Sequence, residues 1–123
     1  MKKVFMIEDD PDILEATTLL LTMRGFKVEG ATRSSGAYGE IQQYEPDVLI
    51  IDLLLSGDDG RDICTYLKQQ QDTKDIPIIM ISAHPNAADA TANCGADAFV
   101  AKPYSSNELL DKITEVTKQK SLA

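Results

Sequence analysis

Short unbroken apolar runs alternate along the chain with longer segments whose apolar residues recur every three or four positions. The runs are Lys3 to Ile7 (KVFMI), Phe26 to Glu29, Val48 to Ile51, Ile78 to Ile81 and Ala98 to Ala101. Such runs, bounded by turn formers, predict strands, and the most apolar of them strands buried on both faces. After the first run, Ile13, Ala16, Leu20 and Met23 recur at helical spacing, with Leu14 and Leu21 widening the stripe. Asp10 and Pro11 supply a cap and a first helical residue, and Gly25 a stop. A second helix is predicted from Ser34 or Ser35 to about Tyr44, weakened by Gly36 and Gly39 and closed by Pro46. A third follows Gly60, with Ile63, Leu67 and Cys64 facing inward. An Ala-rich helix is expected to about Asn93, stopped by Cys94-Gly95. A last helix opens on the capping box Ser105-x-x-Glu108 and carries Leu109, Ile113 and Val116 on one face. Five strands alternating with five helices predict an α/β fold, a doubly wound parallel sheet covered on both faces and joined by right-handed crossovers.

Composition narrows this further. At 123 residues one domain is expected over 1–123, with residues from about 118 to 123 frayed. The formal net charge of -8 leaves no basic patch to release counterions, so no direct nucleic-acid partner is expected; it suits cations or basic protein surfaces. Lys2-Lys3 is followed by too short an apolar run for a signal peptide, and nothing approaches a membrane span, so a cytoplasmic location and no membrane partner are expected. Cys64 and Cys94 stand without paired spacing and read as buried thiols; with one His in the chain, no zinc site is expected.

The pattern acquires chemistry at Val48-Leu49-Ile50-Ile51-Asp52, where an apolar run ends in a carboxylate and a Gly- and Asp-rich turn. In a parallel sheet all carboxyl ends lie along one edge, where ligands bind. The other runs end in Glu8-Asp9, Ser82 and Lys102. Folding should therefore gather three carboxylates, one hydroxyl and one ammonium in one cleft. The carboxylates would raise one another's pKa, and a hard cation such as Mg²⁺ resolves the conflict. Metal, lysine and hydroxyl together are suited to stabilising a phosphoryl group in transfer, with Asp52 as the nucleophile that forms an aspartyl phosphate. Any one of these residues alone reads as a cap or a surface charge.

With those residues in place, the whole chain resembles a response regulator receiver domain of two-component signalling. The match rests on Glu8-Asp9, Asp52-Leu53, Ser82-Ala83 and Lys102-Pro103, supported by Gly60, Pro46-Asp47 and Gly95-Ala96-Asp97. The resemblance implies a flavodoxin-like (βα)5 fold with strand order 2-1-3-4-5. It implies that Asp52 takes a phosphoryl group from a sensor histidine kinase or a His phosphotransfer protein, in a Mg²⁺-dependent reaction. Asp9, Asp52 and the Leu54 backbone carbonyl would ligate the ion, and Glu8 would act through a water. Ser82 and Lys102 would bind phosphoryl oxygens. Phe99, three residues before Lys102, would act with Ser82 as a switch coupling phosphorylation to a protein-binding surface read by a downstream effector. The resemblance implies no enzyme beyond the domain's own phosphorylation and dephosphorylation.

The chain also departs from that family. Ser56 and Asp58 stand where Pro and Met are usual, the interval from Ser82 to Lys102 is about two residues short, and Ala98 replaces an acidic residue used in receiver pairing. His84, two residues beyond Ser82, reads as a solvent-facing loop residue, with tuning of phosphoaspartate hydrolysis as the sharper alternative. Two other classes fit less well. A flavodoxin-like cofactor binder needs a Ser/Thr/Gly-rich phosphate loop where this chain has Glu8-Asp9-Asp10. An aspartyl-phosphate phosphatase needs an Asp-x-Asp pair that Asp52-Leu53-Leu54 lacks.

Overall fold

A computed structural model describes residues 2–55, 58–84 and 93–122. The elements are β1 (Lys3–Ile7), α1 (Pro11–Met23), β2 (Lys27–Ala31), α2 (Ala37–Tyr44), β3 (Val48–Asp52), β4 (Leu54–Leu55), β5 (Asp58–Asp59), α3 (Gly60–Gln69), β6 (Ile78–Ser82), β7 (Ala98–Ala101) and α4 (Ser106–Leu122). Five strands form one parallel sheet in the order β2-β1-β3-β6-β7, the expected 2-1-3-4-5 arrangement. Four helices are present among the described residues; the Ala-rich helix expected before Cys94 falls on residues 85–92, outside them.

The solid apolar runs become central strands because both faces are covered. Residues of β3 are all buried, and successive ones feed opposite layers. Leu49 and Ile51 join Phe5, Ile7, Ile41, Cys64, Leu67, Ile78 and Met80 on one side of the sheet. Val48 and Ile50 join Val4, Met6, Leu21, Ile79, Ile81, Leu109 and Ile113 on the other. The period of two along each strand thus builds two hydrophobic layers from one apolar run.

The helix ends follow their sequence signals. Asp10 Oδ1 accepts from the backbone N–H of Asp12 at 2.9 Å and of Ile13 at 3.4 Å, capping α1. Ser105 and Glu108 form the reciprocal capping box, with Glu108 N–H donating to Ser105 Oγ at 3.1 Å and Ser105 N–H to Glu108 Oε1 at 3.4 Å.

Three expectations are corrected. Along α1 the fully buried residues are Thr17 and Leu21, whereas Leu19 and Met23 are 61% and 76% exposed. α1 is apolar around much of its circumference, so periodicity alone did not select the face that meets the sheet. α2 begins at Ala37 behind Gly36, which has a left-handed φ of 79° and no side-chain cap, so neither Ser34 nor Ser35 opens the helix. The turn after Asp52 contains a two-residue hairpin, β4 against β5, too short to leave a periodic signal. α4 runs to Leu122, and no Gly or Pro interrupts Lys118-Gln119-Lys120-Ser121-Leu122.

Candidate functional site

The cleft is set by strand register. Ile7 of β1 pairs with Ile51 of β3, so Glu8 stands level with Asp52 one residue further on. Asp52 pairs with Ile81 of β6, and Ser82 pairs with Ala101 of β7, which brings Lys102 to the same edge. Two further bonds prolong the sheet there: Glu8 N–H donates to the Ala31 carbonyl at 3.0 Å, and Lys102 N–H to the Ser82 carbonyl at 2.8 Å.

Lys102 Nζ lies between two acids, 2.7 Å from Asp52 Oδ2 and 2.9 Å from Glu8 Oε1. Both acids are buried, Glu8 completely. Asp9 completes the group: a carboxylate oxygen from each of Glu8, Asp9 and Asp52 lies within 4.8 Å of the others. Burying two charges next to a third would be unfavourable without Lys102. Burial, and then the neighbouring Asp52, push the Glu8 pKa from 4.5 up to about 7; Lys102 pulls it down and Asp9 pushes it up. Burial pulls the Lys102 ammonium down, but Asp52 and Glu8 outweigh it and leave its pKa raised. The cleft therefore holds its lysine charged and its acids in excess of cations, with hard oxygen donors close enough to share one small divalent ion.

The loop behind Asp52 is pressed close. Gly60 N–H donates to the Leu53 carbonyl at 2.6 Å. A Cβ at Gly60 would stand 2.1 Å from the Asp52 carbonyl oxygen, so only glycine lets α3 start against this strand end. Leu54 lies at the start of β4, two residues beyond Asp52.

The remaining sequence-derived residues are placed as follows. Ser82 is buried, and its Oγ accepts from the backbone N–H of His84 at 3.0 Å. His84 itself is exposed. Phe99 is half-buried against the Leu49 and Ile51 layer and borders a groove with Glu108, Asp111, Lys112 and Glu115 of α4. Sequence reasoning missed the contact of Lys102 with Glu8, having assigned the lysine to phosphoryl oxygens. It also missed the bond of 3.1 Å between Thr17 Oγ1 and Tyr104 Oη, which ties α1 to the loop following Lys102. The one available signal was a Thr within an apolar helix face.

A doubly wound parallel sheet with an acidic, lysine-gated cleft at its carboxyl edge defines the class of protein. Residues 4–114 match the family model of the response regulator receiver domain, and the chain belongs to that family. It is 31% identical over 121 residues to the sensory transduction protein RegX3 of Mycobacterium tuberculosis, covering 97% of this chain and 52% of that protein. It is 30% identical over 115 residues to the DNA-binding dual master transcriptional regulator RpaA of Synechocystis, covering 92% of this chain and 48% of that protein. The chain thus spans about half the length of these curated relatives. Its fold matches the receiver domain of the sensor histidine kinase PA1611 of Pseudomonas aeruginosa, with a TM-score of 0.87 at 20% identity over 95% of this chain and 98% of that one. That crystal structure has a magnesium ion coordinated in its active-site cleft. Among the described residues of this chain, no helix is long and apolar enough to cross a membrane.

Proposed function

We propose that Asp52 is the phosphoacceptor of this receiver domain. One Asp52 carboxylate oxygen attacks the phosphorus of a phosphohistidine, the P–N bond breaks, and the imidazole leaves with the bonding electrons. The donor is a histidine on a sensor kinase or a phosphotransfer protein. The observation that carries this reading is the pairing of Lys102 Nζ with Asp52 at 2.7 Å, in a cleft where three carboxylates converge. Lys102 orients the acceptor and is placed to neutralise a transferring phosphoryl oxygen.

Asp9, Asp52 and the Leu54 carbonyl form the proposed Mg²⁺ ligand set, with Glu8 acting through a water. The converging hard oxygens fit that ion, and when bound it supplies positive charge to the acids and to the phosphoryl group. Ser82 is the proposed hydroxyl donor to a phosphoryl oxygen. Its Oγ already accepts from His84 N–H, which leaves its own proton to donate. Phosphorylation adds nearly two negative charges, and Ser82 with Phe99 is the proposed route by which they reach the surface of β7 and α4. The apolar hollow lined by Ile13, Ala83, Lys102, Pro103 and Tyr104, about 390 Å³, opens beside the cleft and suits a docked donor protein. A downstream protein effector is the proposed reader.

On this reading the domain catalyses only its own phosphorylation and dephosphorylation, works in the cytoplasm, and forms one folded unit over 1–123. The net charge of -8 supports a domain that does not itself contact nucleic acid. The test is incubation with acetyl phosphate and Mg²⁺, followed by intact mass. One phosphoryl group should be added, and none with Asp52→Asn or with a chelator present. An unchanged mass in wild type would overturn the proposal.

A further inference from the structure

Two cysteines that the phosphoryl chemistry does not use lie against each other. Cys64 faces inward from α3, and Cys94 stands in the turn that leads into β7. Cys64 is fully buried and Cys94 is 6% exposed. The Cys94 thiol donates to Cys64 Sγ at 3.0 Å, and the Cys64 thiol donates to the Cys94 carbonyl at 3.4 Å. A disulfide requires sulfurs about 2.05 Å apart, so a closure of about 1 Å would bond them. A thiolate metal site would need further soft or imidazole ligands, and the chain has only these two cysteines and one histidine, His84.

We propose that Cys64 and Cys94 form a reversible disulfide within the chain when the protein meets a hydroperoxide. Cys94 is the better placed of the two to meet the oxidant. Its thiolate attacks a peroxide oxygen and the O–O bond breaks, giving a sulfenic acid and, with hydrogen peroxide, a hydroxide that takes up the proton lost by the Cys94 thiol and leaves as water. The Cys64 sulfur then attacks the sulfenic sulfur. The S–O bond breaks, the S–S bond forms, and the hydroxyl leaves as water with the Cys64 proton. Two thiols and one hydrogen peroxide yield one disulfide and two waters, with two electrons passing from sulfur to oxygen. Burial and then the contact with Cys94 raise the Cys64 pKa, which suits Cys64 to the second step rather than the first.

The bond would join α3 to the turn that leads into β7. α3 starts at Gly60 against the Asp52 backbone, and β7 carries Phe99 and runs into Lys102. A crosslink there staples the helix that starts behind the phosphoacceptor to the turn that feeds β7.

The test treats the reduced full chain with hydrogen peroxide, removes the excess with catalase, and alkylates remaining thiols with N-ethylmaleimide in denaturant. Expected is a monomer lighter by two hydrogens, carrying no maleimide and yielding a crosslinked peptide that joins Cys64 to Cys94. A phosphine reductant should restore two alkylatable thiols. Two maleimide adducts after peroxide, an irreversibly oxidised Cys94 beside an alkylated Cys64, or a disulfide between two chains would each overturn the proposal. Cys94→Ser should leave Cys64 alkylatable at the same dose, and Cys64→Ser should let Cys94 oxidise past the sulfenic stage. Oxidation of Cys64 in Cys94→Ser at the wild-type rate would overturn the order of attack. The wild-type mass measurement stands without either variant.

Discussion

Glu8 carries the sharpest conflict among the residues. It is fully buried, bonded to Lys102 and crowded by two other acids, and its pKa is pushed to about 7 from 4.5. The folded state therefore binds this proton more tightly than the unfolded chain. Stability from this group is complete below about pH 4.5 and is lost as pH rises through about 7. The span corresponds to about 3 kcal/mol as an upper bound. Urea unfolding of wild type in the presence of chelator should show stability falling between about pH 5 and 7.5 relative to Glu8→Gln, whose profile lacks this component. A wild-type profile parallel to that of Glu8→Gln across the window would show that Glu8 is not the strained group. Excess Mg²⁺ should recover most of the loss near neutral pH, because a cation relieves the same crowding.

At the scale of elements, the start of α3 fixes the rear wall of the cleft. Gly60 is its first residue and has no room for a side chain, with the Asp52 carbonyl oxygen 2.1 Å from where a Cβ would sit. The obstacle is backbone rather than a flexible tip, so the loop or the end of β3 must shift. Gly60→Ala should cost about 2–3 kcal/mol in denaturant unfolding and slow phosphorylation by acetyl phosphate, since it displaces the strand end that holds Asp52. Full stability with unchanged phosphorylation would show that this contact does not set the geometry.

The elements also show what could be read in advance. Strands β1, β3 and β6 were legible because residues buried on both faces leave apolar runs at Val4–Ile7, Val48–Ile51 and Ile78–Ile81, and the edge strand β7 because Ala98–Ala101 is a short apolar run between turn formers. The caps at Asp10 and Ser105 were legible because one side chain satisfies a local backbone donor. The buried face of α1 was not, since Ala16, Leu19 and Met23 are as apolar as the residues that meet the core. The β4–β5 hairpin was not, since its four residues follow from tertiary position.

Over the whole molecule, the site was readable because one topological rule places every parallel strand end on one edge. That rule put Glu8, Asp9, Asp52, Ser82 and Lys102 together before any distance was known. It could not say which acids share Lys102, because strand order places the side chains at one edge without fixing which carboxylate oxygens meet Nζ. Nor could it reveal the contact of Thr17 with Tyr104, which joins residues from opposite ends of the chain. Three candidate nucleophiles stand in one cleft, so the most direct measurement asks which of them carries the phosphoryl group. Protein phosphorylated by acetyl phosphate with Mg²⁺ is reduced with borohydride, which turns an acyl phosphate into an alcohol, and is then mapped by peptide mass. The account predicts homoserine at position 52 and intact Glu8 and Asp9. Reduction at Glu8, Asp9 or any other acid, with Asp52 unchanged, would contradict it.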